Sequence, residues 1–221
     1  MTEPRFFSSD YVERAVLRDG TPVRLRLVRS DDKELLRAGF ERLSQASRYA
    51  RFMAPKMELS DDELRYLCEV DHQNHVAIGV LRDDDHDPPI GLGIGRFIRL
   101  SDRPDTAEAA IAISDEVQHQ GLGRLLLLRL IAAASERGIR RFRCELLGTN
   151  TRMAALLAQI SPDRSIDVGA GVMSIEIELP WVGPTEPETA APVQSSIYRL
   201  LRAAAQNALE WTDAVRRLWR R

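Results

Sequence analysis

Two closely spaced glycines between an apolar strand pattern and a long apolar helix pattern constrain the fold of this chain more than any other feature. The segment is Gln118-His119-Gln120-Gly121-Leu122-Gly123-Arg124. The first backbone N–H groups of a helix lack a partner within it, and the helix dipole puts about half a positive charge at that end. Glycine removes the Cβ atoms that would hold phosphate oxygens away and permits the positive φ angles of a turn. The segment therefore predicts a pyrophosphate-binding loop.

The flanking residues favour this interpretation over an ordinary glycine-rich turn. Residues 107–113 have the pattern of a strand, and residues 125–134 predict a helix that ends at Arg137 and Gly138. A Walker A loop needs Lys and then Ser or Thr after its second glycine, and a dinucleotide-binding fingerprint needs a third glycine inside the helix. Neither is present here. The other glycine cluster, residues 91–95, alternates with apolar residues and predicts a strand whose small residues allow another backbone or a ligand to come close.

A second strand is predicted at residues 141–146, and Asn150-Thr151-Arg152-Met153 opens another helix. This order of strand, anion loop, helix, strand and helix resembles motif A and the start of motif B of the GNAT N-acetyltransferases. Their loop pattern, Q/R-x-x-G-x-G/A, is matched by Gln118, Gly121 and Gly123. Within that superfamily the chain looks most like the bacterial protein-lysine acetyltransferases of the Pat type, through LSQASRYARF, DDELRYL, VDHQNHVAIGV and AEAAIAISDEVQHQGLGRLLLLRLI.

The order of the remaining elements agrees with this resemblance. Apolar spacing predicts a strand at 21–28, helices at 30–42 and 60–70, strands at 75–81 and 90–100, and a last strand at 172–179, with residues 48–56 as a loop. The resemblance covers residues 15–180. It implies an α/β protein with the GNAT fold, in which helices flank a mixed, mostly antiparallel central sheet, and it predicts one acetyltransferase domain over residues 1–181.

The C-terminal residues predict an appendage to this domain. Residues 182–194 are rich in proline and lack apolar periodicity, which is typical of a linker. Residues 195–221 predict an amphipathic, basic helix with an apolar stripe that includes Ile197, Leu201, Trp211 and Trp219. We expect this stripe to dock on its own domain or on a second subunit. A partner protein or an anionic membrane are the alternatives, and the membrane is disfavoured because the basic residues cluster at the end.

Glu108 is the candidate general base. Residues two apart in a strand share a face, so Glu108, Ala110 and Ala112 are expected on one side and Ile111 and Ile113 on the other. An amine with a pKa near ~10.4 must lose a proton before it attacks a thioester, and a nearby carboxylate takes it directly or through water. The Pat-type resemblance implies that the catalytic glutamate stands at this position. The alternative is a surface glutamate at the start of a strand.

The resemblance also implies how acetyl-CoA is held. The main chain of Ile111 and Ile113 would pair with the pantetheine arm, the amides from His119 to Arg124 would bind the pyrophosphate, and Asn150 would contact the pantetheine side. The implied cofactor-binding residues are Ile111, Ile113, Gln118, His119, Gln120, Gly121, Leu122, Gly123, Arg124, Asn150 and Met153. Alternatively, Asn150 only caps its helix and Met153 only fills the core. Many GNAT members carry a tyrosine late in this helix to protonate the thiolate, but residues 153–160 contain none, so the general acid is unassigned and water could serve.

Composition limits the partners and the compartment. The formal net charge of −2 gives no broad basic surface for nucleic acid. Cys68 and Cys144 are far apart in apolar runs, which favours buried reduced thiols in a cytoplasmic protein over a disulfide. The first residues lack the apolar core of a signal peptide, and no segment reaches the ~20 apolar residues that span a bilayer. Residues 71–75 hold an aspartate and two histidines without a third His or Cys at ligand spacing, so no metal is expected.

The sequence therefore predicts a cytoplasmic, acetyl-CoA-dependent N-acetyltransferase that acts on a primary amine, with a protein lysine as the preferred acceptor. A small-molecule amine is the enzymatic alternative. A domain that binds acyl-CoA without catalysis, as a sensor or scaffold, is the alternative from another class. The missing tyrosine favours the sensor, whereas Glu108 on a face of small residues favours the enzyme.

Overall fold

A computed structural model describes residues 5–161 and 164–179. The strands are β1 Val12–Val16, β2 Pro22–Leu27, β3 His75–Arg82, β4 Gly91–Arg99, β5 Thr106–Ile113, β6 Arg141–Leu147, β7 Arg164–Gly169 and β8 Val172–Glu178. The helices are α1 Lys33–Glu41, α2 Gln45–Phe52, α3 Asp61–Cys68, α4 Leu122–Ser135 and α5 Thr151–Ile160, with a short 3-10 helix at Asp115–Val117. Within the described part of the chain, none of the helices is long and apolar enough to cross a membrane.

The described residues form two compact units. Unit 1 contains residues 5–98 and 109–130, and unit 2 contains residues 99–108, 131–161 and 164–179. The strands hydrogen-bond in the order β1-β2-β3-β4-β5-β6-β8-β7. The β5–β6 pair is parallel, and the β1–β2, β2–β3, β3–β4, β6–β8 and β7–β8 pairs are antiparallel. The predicted class, a mixed and mostly antiparallel sheet with helices, is confirmed.

The core of unit 1 follows from the alternation that the sequence shows. In β2 the apolar Val23, Leu25 and Leu27 are buried, whereas the intervening Arg24 and Arg26 are only partly covered. Helix α4 is apolar on all sides, and a helix of that kind must lie inside the protein. Its buried residues within unit 1 are Leu122, Leu125, Leu126, Leu127, Leu128, Arg129 and Leu130.

Local signals place several element ends as predicted. Ser60 caps α3 by accepting from the amide of Glu63, whose carboxylate accepts from the amide of Ser60, which is the predicted capping box. After α4, Gly138 adopts φ +72°, and the amide of Ile139 bonds to the carbonyl of Ala134 at 3.1 Å. This is the glycine-terminated helix end that the sequence predicts.

The secondary structure differs from the prediction at α2, at β1, at β7 and at the start of α4. The segment expected to be a loop at 48–56 contains most of α2, whose Ser44 cap accepts from the amide of Ser47. Strands β1 and β7 were not expected, and α4 begins at Leu122, inside the glycine loop, rather than at residue 125.

The predicted linker at 182–194 and helix at 195–221 lie outside the described residues. Cys68 and Cys144 are free and buried, as the sequence suggests.

Candidate active site

The glycine loop of unit 1 forms the N-terminus of α4. His119 and Gly121 adopt positive φ angles of 66° and 89°, and the amide of Leu125 makes the first helical bond, to the carbonyl of Gly121 at 3.1 Å. The amides of Leu122, Gly123 and Arg124 therefore belong to the first turn, where no carbonyl within the helix can accept from them. This geometry agrees with the predicted anion site at the end of a 14-residue helix.

The structure assigns different roles to the two glycines. Of the two glycines, Gly121 adopts the positive φ that glycine permits, and Gly123 does not. Gly123 lies within the first turn of α4, and a Cβ added there would come within 3.2 Å of Ile113 Cδ1. Its lack of a side chain instead allows α4 to approach β5 closely.

Two arginines accompany the loop: Arg124, which is among the predicted cofactor-binding residues, and Arg18, which is not. The amide of Arg18, in the turn after β1, donates to the carbonyl of Gln120 at 3.2 Å. Burial, followed by the charge of Arg18, lowers the pKa of Arg124. Two guanidinium groups are therefore close enough to repel each other at a helix N-terminus, which is an environment that favours an anion. Arg18 is about a hundred residues from the loop, so only the tertiary structure reveals it.

The side chain of Gln118 braces the loop. It donates to Ser47 Oγ and to Asp115 Oδ1, both at 3.2 Å, and to the carbonyl of Ile113 at 3.4 Å. Asp115 in turn accepts from the amide of Ser44 and the hydroxyl of Ser47, each at 2.8 Å. Burial raises the pKa of Asp115, but these hydrogen bonds outweigh it and the net shift is downward. These hydrogen bonds fix the start of α2 to the loop. A contact between Gln118 and acetyl-CoA stays a prediction.

Strand β5 presents the two faces that its alternation predicts. Ile111 and Ile113 are half-buried on the α4 side, where Ile113 lies against Gly123 and Ile111 lies near Gly95. A Cβ added at Gly93 would come within 3.3 Å of the Ala112 carbonyl, and one added at Gly95 would clash with Leu130 at 2.7 Å. The glycines of β4 thus admit a neighbouring backbone, which is one of the two alternatives that the sequence left open, and they also admit the leucines of α4.

The remaining predicted residues lie in unit 2. Glu108 is exposed and stands opposite Arg143 of β6 in the parallel register, between the buried Ala107 and Ala109. Burial, followed by the charge of Glu108, raises the pKa of the Cys144 thiol to about 12, so this cysteine stays protonated. Exposure of the carboxylate is compatible with a general base and with a surface glutamate alike.

Asn150 and Met153 meet at the start of α5. Asn150 is the N-cap, and its Oδ1 accepts from the amide of Met153 at 3.2 Å. The cap uses one of the two lone pairs of this oxygen, so the second lone pair and the Nδ2 amide are the groups that a ligand would contact. Met153 is half-buried rather than fully within the core. Their roles toward acetyl-CoA stay predictions.

Unit 1 also contains a cavity of about 100 Å³. Its walls come from α1, α2, β3 and β4, with Ala112 and Ser114 from the end of β5 and Leu67 from α3. Most lining side chains are apolar, but three arginines and one aspartate are present. Arg26 and Asp32 form a two-pronged ion pair with both N–O distances at 2.6 Å, and the other two arginines are Arg51 and Arg96.

The residues considered for a metal have other partners. Asp71 Oδ1 accepts three backbone N–H groups, from Gln73, Asn74 and His75, at 2.7–2.8 Å. Burial raises the pKa of Asp71, but the three amides outweigh it and the net shift is downward. His75 Nε2 lies 3.0 Å from a guanidinium nitrogen of Arg96. Among residues 5–161 and 164–179, no group of three His, Cys, Asp or Glu side chains is arranged to hold a metal.

The protonation state of His75 predicts a loss of stability below neutral pH. Burial, followed by the Arg96 charge, lowers the pKa of His75 from 6.5 to about 4. As the pH falls through 6.5, His75 gains a proton in the unfolded chain but not in the folded protein, so acid favours unfolding. We expect the free energy of unfolding to fall between pH 6.5 and about pH 4, and to fall less in His75→Gln. Urea unfolding at several pH values measures this, and equal slopes for the two proteins would contradict it.

Comparison with known proteins identifies the family. The model of the acetyltransferase (GNAT) family matches residues 35–160. "Acetyltransferase Pat" of Mycolicibacterium smegmatis is 28% identical over 192 residues, which are 86% of this chain and 56% of that protein. "Acetyltransferase PA5475" of Pseudomonas aeruginosa is 31% identical over 158 residues, which are 69% of this chain and 84% of that protein. The chain thus spans little more than half the length of the first of these relatives.

Solved structures agree with this comparison. The GNAT domain of S. lividans PAT superposes with a TM-score of 0.69 at 28% identity, covering 78% of this chain and 99% of that one. A Salmonella typhimurium putative acetyltransferase, yncA, solved with its cofactor acetyl-CoA, superposes with a TM-score of 0.56 at 17% identity, covering 77% of this chain and 97% of that one. The second likeness concerns the fold alone.

Proposed function

The chain belongs to the acetyltransferase (GNAT) family, and we propose that it transfers an acetyl group from acetyl-CoA to a primary amine, with a protein lysine as acceptor. The observation that carries this proposal is the N-terminus of α4 in unit 1. It combines first-turn amides, a left-handed Gly121, and the guanidinium groups of Arg18 and Arg124. These groups fit a pyrophosphate, because backbone N–H donors and cations both favour a doubly charged anion.

The chemistry requires few groups from the protein. Acetyl-CoA supplies the acetyl group as a thioester, the amine forms the new C–N bond, and the C–S bond breaks. The main chain at Ile111 and Ile113 would orient the pantetheine arm. Glu108 would take the proton that the ammonium must lose, directly or through water. Water would protonate the departing thiolate, since α5 carries no tyrosine.

The acceptor is tested by labelling. The protein is incubated with acetyl-CoA labelled in the acetyl group and with a cell lysate, and the label is measured in the protein and small-molecule fractions. Label on protein lysines is the expected result, and it would support a protein lysine as the acceptor. Label in small amines alone would replace the lysine with a small acceptor. Binding of acetyl-CoA without transfer to either fraction would favour a sensor.

The role of the loop is tested by Gly123→Glu. A carboxylate in the first turn of α4 would repel the pyrophosphate, so we expect the affinity for acetyl-CoA to fall by about tenfold or more, or ~1.4 kcal/mol. An acidic residue there suits the helix dipole, so the helix itself should persist. Gly123→Ala is the matched control, because it adds the Cβ near Ile113 without the charge. Calorimetric affinity that is equal in Gly123→Glu and wild type would remove the loop from the cofactor site.

A further inference from the structure

Arg96 is a buried cation that no carboxylate neutralises in the part of the chain that the structure describes. It is 5% exposed and lines the cavity of unit 1. Its guanidinium hydrogen-bonds to neutral groups, His75 Nε2 at 3.0 Å and the carbonyl of Leu67 at 3.3 Å. They account for two of the five N–H donors of a guanidinium. Among the described residues, no carboxylate lies within 4.0 Å of Arg96.

The other charges around the cavity do not compensate Arg96. Asp32 is the carboxylate in the wall, and both of its oxygens are already bonded to Arg26. Arg51 lines the same cavity and adds positive charge. Burial, followed by the charge of Arg51, lowers the pKa of Arg96 to about 10, so Arg96 is still charged near neutral pH. Burying a cation without a counter-charge is costly, and an anionic ligand would offset that cost.

The position of the cavity connects it with the proposed reaction. Ala112 and Ser114 contribute to its wall, and Ala112 lies between Ile111 and Ile113, the residues expected to orient the pantetheine arm. The rest of the wall is largely apolar, including Leu36, Phe40 and Leu92. A ligand that fits would combine a short aliphatic part with one planar anionic end, because a guanidinium pairs with a carboxylate through parallel N–H donors.

We propose that this cavity binds a carboxylate of the acceptor, with Arg96 as its ion-pair partner and Arg51 as a second cation. The assignment to the acceptor rests on the proposed acetyl transfer, whereas the binding of a carboxylate does not. The carboxylate has two sources, a free amino acid whose amine is acetylated, or an acidic side chain next to a target lysine. Arg96 therefore determines specificity rather than the chemical step.

Direct binding tests the site without any reaction. Pentanoate and its neutral analogue pentanamide are titrated into the full chain by calorimetry or ligand-observed NMR. We expect pentanoate to bind about tenfold or more tightly than pentanamide. Arg96→Gln should abolish this preference. Arg65→Gln, which removes an exposed arginine of α3 paired with Asp62, should leave it unchanged. Equal affinities of the wild type for the two probes, or equal pentanoate affinities of wild type and Arg96→Gln, would overturn the proposal.

A second variant guards against a folding defect of Arg96→Gln. Arg51→Gln changes a half-buried side chain on α2 and is expected to weaken pentanoate binding about threefold or more. Circular dichroism and acetyl-CoA affinity show whether each variant is folded. If Arg96→Gln does not fold, two other results test the carboxylate site. These are the preference of the wild type for pentanoate over pentanamide and the weaker binding of pentanoate by Arg51→Gln. Unchanged binding in a folded Arg51→Gln would remove Arg51 from the site.

Acetyl transfer then distinguishes the two sources. Free amino acids are compared with their carboxamides, and lysine peptides with glutamate beside the lysine are compared with glutamine counterparts, by kcat/KM. Preference for the free amino acids assigns the cavity to a small acceptor, and preference for the glutamate peptides assigns it to a protein. Transfer without either preference would overturn the inference and leave the acetyltransferase intact. Pentanoate binding without transfer to any acceptor would refute the proposed function and leave the carboxylate site.

Discussion

Replacing Glu108 with glutamine is expected to lower the rate of acetyl transfer by about 100-fold or more with little effect on acetyl-CoA affinity. Glutamine keeps the size and hydrogen bonding of the side chain but cannot accept the proton of an ammonium whose pKa is near ~10.4. Glu108 is exposed on β5, so its loss should leave the core intact. Single-turnover rates and calorimetric affinity, measured on the same preparation, separate the chemical step from binding.

Glu145→Gln is the matched control for this experiment. Glu145 lies on β6 in the same unit, and its carboxylate pairs with Arg143 at 3.2 Å. The change in charge and chemistry is the same, so a similar loss in both variants would indicate a general electrostatic effect. If Glu108→Gln transfers acetyl groups at the wild-type rate near pH 7, Glu108 is a surface glutamate at the start of a strand and another base must be sought.

The anion loop could be predicted because all of its determinants are adjacent in the sequence. A strand pattern, two glycines and an apolar helix pattern follow one another, and helix physics supplies the rest. The same local argument does not give Gly121 and Gly123 separate roles, because a glycine required by a turn and one required by close packing look alike in a sequence. The structure distinguishes them, because a Cβ added at Gly123 would lie only 3.2 Å from Ile113 Cδ1.

The parts that could not be predicted depend on contacts between distant segments. Helix α2 has only eight residues, and a helix this short is marginal without tertiary support. Asp115, about seventy residues further along, supplies that support by accepting from Ser44 and Ser47. Arg96 is similar, since arginine is almost always exposed, whereas the structure buries it beside His75. No pattern of spacing within β4 distinguishes a buried arginine from an exposed one.

The largest loss of stability is expected from Glu13→Ala. Arg129, in the middle of α4, is 1% exposed, and its guanidinium meets the carboxylate of Glu13 through two nitrogens, with Nε at 2.6 Å. The hydroxyl of Tyr11 donates to the same carboxylate at 2.9 Å. Burial, together with the neighbouring charge of Glu13, raises the pKa of Tyr11, which keeps it a donor. Removing one partner of a buried pair leaves an uncompensated charge and typically costs about 3–5 kcal/mol.

We therefore expect Glu13→Ala to lower the free energy of unfolding by about 3–5 kcal/mol, measured by urea denaturation. Asp62→Asn is the control, because it breaks the exposed ion pair of Asp62 with Arg65, in which the aspartate is 86% exposed. The expected loss in the free energy of unfolding is below about 1 kcal/mol. The double variant Glu13→Leu with Arg129→Met should recover most of the stability, because apolar side chains of similar volume avoid the cost of burying charge. A loss in Glu13→Ala no larger than that in Asp62→Asn would show that Arg129 gains water or another counter-charge, and that β1 is not held to α4 by this pair.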